Sequence, residues 1–166
     1  MIFVAPDRSI TVKNRHKQDH KNWSPSPHTA APFLSLPGGG WYVFVGELLH
    51  AKGIGVKDTH YLFDVIVADG EFLFGEAFEE RITLLEGLFK IADDGSYDHF
   101  VIDSHTWLAR TFRNPDLNDL FNVTKHHGDE GIVAKDPQAG LNMCLREGLN
   151  SSWQIKCRHP KANLQF

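Results

Sequence analysis

Apolar and polar positions alternate in short runs along the chain, and the period of each run predicts the element it forms. IFV at 2–4 and SITVK at 9–13 are β-prone. Between them lies Ala5-Pro6-Asp7-Arg8, a turn with Pro and Asp where turns favour them. Together these segments predict a hairpin that starts at the first residue. Residues 14–40 are polar and then rich in Pro and Gly (SPSPH, AAPF, PGGG), which reads as a long loop. WYVFVGELL over 41–49 has period two and sets Trp41, Val43, Val45, Glu47 and Leu49 on one strand face. HYLFDVIVA over 60–68 predicts a second strand, with Tyr61, Phe63, Val65 and Val67 opposed to Leu62, Asp64 and Ile66. Asp69-Gly70 then turns the chain into a short return strand, EFLFG.

Helical spacing appears next. Phe78, Ile82, Leu85 and Phe89 fall at i, i+4, i+7 and i+11, predicting a helix from about Ala77 to Ile91 that Asp94-Gly95 closes. A strand follows at Phe100–Asp103. A second helix is expected to start at Asn114-Pro115, with Asn as N-cap and Pro at the first helical position. It carries Leu117, Leu120 and Phe121 inward and ends near His127-Gly128. Strands at Gly131–Lys135 and Trp153–Arg158, joined through a loop at Gly140, complete the set. Helices interleave with hairpin-like strand pairs, so the expected class is α+β with mainly antiparallel sheets and packed helices. The chain shows no internal repeat and no boundary that would split it, so residues 1–166 read as a single domain.

Composition narrows the functional classes. The 166 residues are 42% hydrophobic, enough for a real core and too much for low-complexity disorder. A formal charge of −4 excludes a strongly basic nucleic-acid coat protein but leaves room for a local basic cleft. No apolar run is long enough to cross a bilayer, and MIFVA followed by Pro-Asp-Arg is not a signal peptide. The expected location is therefore cytoplasmic, in a bacterium or a virus-infected host cell, and the expected state a monomer. Cys144 and Cys157 have no CxxC partner and are expected as free thiols. His126-His127 point in different directions at a helix end, which does not suit a metal site. Gly38-Gly39-Gly40 lacks the Gly-Lys-Ser/Thr of a phosphate loop. Arg15, Lys17, Lys21 and Trp23 interleave charge and aromatic surface, a pattern suited equally to a phosphodiester contact and to a mobile loop.

Three segments place charge on otherwise apolar strands. In Gly46-Glu47-Leu48-Leu49 the carboxylate shares a face with Val43 and Val45, where burial demands a cation or metal and a solvated edge does not. In Asp129-Glu130-Gly131-Ile132-Val133-Ala134-Lys135 an acid pair enters a β-branched strand. In Trp153-Gln154-Ile155-Lys156-Cys157-Arg158 two cations point to one side, a good seat for a phosphate and also a common solvated face.

The order of these segments carries more than any one of them. Gly-Glu, then Phe-Asp, then Glu-Gly-Ile-Val-Ala-Lys, then Lys-x-Arg resembles the covalent nucleotidyltransferase superfamily of ATP-dependent DNA ligases, RNA ligases and mRNA capping enzymes. GELLH looks like its third motif, YLFDVIVADG like motif IIIa, DEGIVAKDP like the fourth and WQIKCR like the fifth. VKNRHK is similar to the Ser-Arg-x-Gly stretch that follows the active-site lysine. The resemblance spans essentially the whole chain, and EGIVAKDP is closest to the DNA ligase version.

The resemblance implies an ATP-grasp-like core, ATP and Mg²⁺ as cofactors, and nicked DNA, or else RNA, as partner. AMP would pass from a lysine to a 5′-phosphate and be displaced by a 3′-hydroxyl. It implies that Glu47 and Glu130 hold the metal or its waters and that Lys156 and Arg158 grip the α-phosphate. Phe63 would lie against adenine, Arg15 would orient the nucleotide or the nucleic-acid end, and Lys135 would contact the nucleotide phosphates. The chain departs from the pattern at Val45, where the third motif has Asp, and at Arg158, where the fifth has Lys. Its spacing from Trp153 to Lys156 is also one residue longer than the familiar form. No lysine is followed by x-Asp-Gly, the family's nucleophile motif, which would precede the first hairpin. The expectation is an N-terminally truncated adenylation domain, without an OB-fold domain and inactive alone. Its alternatives are an RNA ligase, a capping guanylyltransferase or a non-catalytic nucleotide- or nucleic-acid-binding module.

Overall fold

A computed structural model describes residues 1–14, 16–19, 23–49, 56–141 and 152–160. In chain order they form β1 (Ile2–Val4), β2 (Ile10–Val12), α1 (Pro27–Leu34), β3 (Tyr42–Leu49), β4 (Thr59–Ala68) and β5 (Glu71–Phe72). There follow α2 (Phe78–Leu88), β6 (His99–Asp103), β7 (Thr106–Ala109), α3 (Leu117–His127), β8 (Gly131–Lys135) and β9 (Gln154–Arg158). The class is α+β. A seven-stranded sheet runs β2-β1-β3-β4-β7-β6, with β5 paired to the end of β4. Its pairs are antiparallel except β4 with β7. A separate antiparallel hairpin pairs β8 with β9.

The long β3–β4 ladder explains why simple alternation misreads these strands. Val43 pairs with Val67 but Phe44 with Val65, and Val45 pairs with Asp64 but Gly46 with Leu62. Each time, one step on β3 spans two on β4, leaving Ile66 and Phe63 as extra residues at β-bulges. The bulges shift the side-chain phase, so Leu62 and Val65, expected on opposite faces, are both fully buried. Phe63 is only half-buried. Gly46 is needed at the second bulge, because a Cβ there would meet the Tyr61 carbonyl oxygen at 2.6 Å and the Leu62 Cα at 3.3 Å.

Four other expectations are corrected. The supposed loop over 14–40 contains α1, which Ser26 and Thr29 open as a reciprocal capping box with Pro27 at the first position. A helix this short is marginal on its own. Burial of Phe33, whose ring lies 5.5 Å from Phe44 and 5.9 Å from Phe89, holds it in place. The helix α2 ends at Leu88 rather than Ile91, because Phe89 turns extended to join that aromatic cluster. The third helix is capped by Asp116, not Asn114: the Asp116 carboxylate accepts from the amides of Asn118 and Asp119 at 2.9 and 3.0 Å. It ends at Gly128, whose φ of 81° supplies the left-handed cap. The strand β7, absent from the hydropathy reading, is fixed by pairing on both sides with Thr106 and Leu108 buried.

Gly46→Ala should lower stability in urea denaturation by about 2 kcal/mol, the usual effect of overpacking a rigid site. Gly39→Ala, where an added Cβ meets nothing within 4 Å, should change it by less than about 0.5 kcal/mol. Equal effects at the two positions would remove the bulge constraint.

Candidate functional site

A cavity of about 710 Å³ lies between β4, α2, the segment after β7, α3 and β8. That is the size of a cofactor or nucleotide pocket. Tyr61 and Phe63 come to it from β4, Phe78 and Ile82 from α2, and Gly131 to Lys135 from β8. Its walls are largely aromatic and aliphatic.

Lys135 brings a largely buried charge to this wall. Its ammonium sits 4.1 Å from the Phe78 ring centre, 5.4 Å from Phe63 and 5.9 Å from Trp153. It also donates to the Phe63 carbonyl oxygen at 3.4 Å. The bulge leaves Phe63 as the extra residue in the β3–β4 ladder, so this carbonyl faces the lysine. Burial pushes the Lys135 pKa down to about 8, with the Asp64 carboxylate partly offsetting this and the Arg81 guanidinium adding to it. An ammonium so placed attracts an anion strongly, because little water screens it.

Beside it lies a buried ion pair. Arg81 donates from Nε to Asp64 Oδ1 and from Nη2 to Oδ2, both at 3.0 Å. Asp64 also accepts from the Val65 amide at 2.9 Å. The remaining guanidinium nitrogen, Nη1, donates to the Glu76 carbonyl at 2.7 Å and reaches that of Ala139 at 3.5 Å. The sequence carried a signal for the pair. Asp64 interrupts an apolar strand, and Arg81 stands on the inward face of a helix, three residues past Phe78 and one before Ile82.

The hairpin register decides the second cluster. Gln154 faces Lys135, Lys156 faces Val133, and Arg158 faces Gly131. Side chains opposite one another share a face, so Lys135, Lys156 and Arg158 lie on one side of the hairpin. His159 continues the other side: its ring lies 4.0 Å from Phe121, and its Nε2 is 2.9 Å from the Thr124 hydroxyl. Gly131 permits the close pairing, since its φ is 131° and a Cβ would run into the Cys157 carbonyl.

Of the expected site residues, Phe63 and Lys135 meet at the cavity. Lys156 and Arg158 are exposed on the hairpin face that Lys135 shares. Glu130 lies 3.8 Å from Arg158, with both side chains largely in solvent, so the pair adds little stability. Glu47 is exposed on β3 opposite Tyr61 and shares its face. Arg15 and Cys144 lie outside the described residues. Trp23 is engaged internally: its indole donates to Asp58 at 3.1 Å and its ring lies 5.3 Å from His60. Phe78 belongs to the core and Trp153 packs against it, and both rings also wall the lysine. Among the described residues, no group of three or more His, Cys, Asp or Glu gathers to hold a metal.

The arrangement is an aromatic cleft with a half-desolvated cation and two exposed ones beside it, chemistry that suits a planar ring bearing phosphate. A 77-residue stretch of the chain, 46% of its length, is 34% identical to a DNA ligase from Thermoplasma volcanium. The chain thus contains a ligase-related region. It spans 12% of that relative's length. No family model matches the chain. No described helix is long and apolar enough to cross a membrane.

Because the folded state lowers the Lys135 pKa from 10.5 to about 8, the burial penalty is present in full below about pH 8. It fades as pH rises toward 10.5, since the unfolded chain then binds more protons. Lys135→Met should therefore stabilise the protein near neutral pH by roughly 1–2 kcal/mol, less than the shift alone implies because ring contacts are lost. The gain should shrink above pH 10, as followed by denaturant titration at several pH values. A gain independent of pH would contradict a charged Lys135 in the fold.

Proposed function

We propose that this chain is nucleotide-binding machinery of an ATP-dependent polynucleotide ligase, the adenylation type, working on nicked DNA. The carrying observation is the meeting of the Phe63 ring and the Lys135 ammonium at a cleft of nucleotide size, with Lys156 and Arg158 on the hairpin face that Lys135 shares. The ligase-related stretch supports the same reading.

In this reading Phe63 stacks on the adenine, with β8 as the other wall. Lys135 sits under the ring and donates to the phosphate nearest the sugar. Lys156 and Arg158, two residues apart on the same face, neutralise the α-phosphate oxygens as charge builds at phosphorus. Such transfers are in-line displacements in which positioning and neutralisation provide most of the rate. Arg158 acts as a planar fork and Lys156 as a compact donor, so the two grip different oxygens. Glu47 and Glu130 would hold Mg²⁺. Hard oxygen ligands of this kind suit Mg²⁺, which keeps most of its waters. That ion would supply further neutralisation of phosphate charge. The lysine that carries AMP in this chemistry belongs to a Lys-x-Asp-Gly motif, which this sequence does not contain. The described residues therefore contribute binding and charge.

Calorimetry with adenosine, AMP and ATP tests the reading. AMP and ATP should bind, and at pH 8.5 binding should take up protons as phosphate raises the Lys135 pKa, seen by comparing buffers of different ionisation heat. Phe63→Ala should weaken adenosine and AMP alike, about tenfold or more, the usual worth of one stacked base. Lys156→Ala should weaken AMP about tenfold and leave adenosine unchanged, as expected for one charge-assisted hydrogen bond. Glu130→Ala should weaken ATP only when Mg²⁺ is present. Absence of AMP binding by the wild-type protein would sink the proposal. With a Lys-x-Asp-Gly-x-Arg segment supplied upstream, labelled ATP should transfer in preference to GTP, and nicked DNA should be sealed in preference to nicked RNA. Preference for GTP or for RNA would move the assignment to a capping enzyme or an RNA ligase.

A further inference from the structure

We propose that the buried Asp64–Arg81 pair is the positioning device of the cleft, holding Lys135 and the base of the β8–β9 hairpin in register with Phe63. The proposal takes the nucleotide reading above as its setting, but its geometry stands apart from it. Asp64 directly follows the bulged Phe63, so whatever fixes its carboxylate fixes the backbone that presents the Phe63 ring and carbonyl. Arg81 is 1% exposed and meets that carboxylate with both arms of its fork. Its third nitrogen turns away to the chain just past Lys135, through the Ala139 carbonyl, and to Glu76. One side chain thus spans β4, the start of α2 and the turn that leaves β8.

That turn is tied down at several points. The Phe78 amide donates to Ala139 O and the Glu79 amide to Pro137 O, both at 3.0 Å, so the unpaired amides of the first turn of α2 receive the carbonyls of the turn. The Asp136 amide donates to Trp153 O at 2.8 Å, and Gly140 bridges to Ala77. Arg81 lies under this junction, with its guanidinium 5.6 Å from the Phe78 ring and 5.8 Å from the Trp153 ring. Those rings are two of the three around the Lys135 ammonium. Among the described residues, the charged groups that act on Lys135 are Asp64 from β4 and Arg81 from α2, and the Trp153 side contributes an uncharged ring.

A pair of this kind is a poor device for stability alone, because well-packed apolar residues in its place are often neutral or better. Its use here is orientation. It keeps the ammonium within reach of an incoming phosphate while Phe63, from the same strand, meets the base.

The test is Asp64→Leu/Arg81→Met, which removes both charges together and keeps side-chain bulk, read by NMR on protein carrying ¹³C-labelled lysine. In the wild type, the Lys135 side-chain protons should be shifted upfield by the rings and should titrate near pH 8. If the pair positions Lys135, the folded double variant loses the ring shift, and the midpoint rises by about one unit or more toward ordinary lysine as the ammonium leaves its seat. AMP binding should then fall at least tenfold, and by more than adenosine binding, because both ligands lose the ordered Phe63 ring and only AMP loses the Lys135 contact. A folded double variant that keeps both the ring shift and the midpoint overturns the proposal and leaves the pair a merely structural one. Should that variant not fold, Arg81→Lys is read the same way, because it keeps the charge and loses both the fork on Asp64 and the third nitrogen that reaches Glu76 and Ala139. Its unchanged Lys135 signals would equally overturn the proposal. Wild-type protein that binds neither adenosine nor AMP removes the nucleotide reading but not this one, which the ligand-free spectra decide.

Discussion

A carboxylate in the middle of a buried strand has to be answered by a cation, and in this protein much of the cleft follows from that demand. Asp64 leaves β4 where water is excluded, and an isolated charge there would be intolerable. Arg81 answers it with a two-pronged, fully buried contact, which fixes the rotation of α2 against β4. Once α2 is set, its first-turn amides meet the turn that follows β8, and the hairpin with its cations takes its place beside the main sheet. Apolar residues would hold such elements together as firmly. They would specify the angle between them less sharply, because dispersion contacts are non-directional and a bidentate ion pair is not.

The second constraint is local to the β3–β4 ladder. Two bulges let a long pair of strands curve while their buried residues stay inward, and the second bulge frees Phe63 from the ladder. A regular strand would have alternated strictly and sent Leu62 and Val65 to opposite faces. Gly46 makes the tighter approach possible because it has no Cβ to meet the opposing backbone. The freed aromatic and the buried Asp64 are neighbours in sequence, so one irregularity serves both the stacking surface and its anchor.

Charge is distributed around the cleft in two ways. Lys135 is held half-dry among three rings, where its field is strong and its proton is loosely held. Lys156, Arg158 and Glu130 are exposed to water, where each costs little, and Glu130 pairs loosely with Arg158. In the proposed reading, such a division suits recognition of a nucleotide by one face and of a larger polyanion at the rim.

Much was legible from residue order alone. Periodicity located most of the strands, the apolar stripe of α2 and the Gly128 end of α3, because period and capping are local properties. The lysine and arginine of β9 were on one face by parity, and the pairing with β8 agreed. The helix at 27–34 and the strand at 106–109 were not legible, because each is held by what it packs or pairs with rather than by its own pattern. Nor was the phase shift in β4, which arises from the fit between two strands. The sequence by itself determined which residues are cationic, which are aromatic and which strands carry them. Only the tertiary structure decided that Phe78 and Trp153 enclose Lys135, and that Asp64 and Arg81, seventeen residues apart, form one buried pair. Local propensity acts over a few residues, whereas desolvation and charge pairing depend on which distant groups the fold brings together.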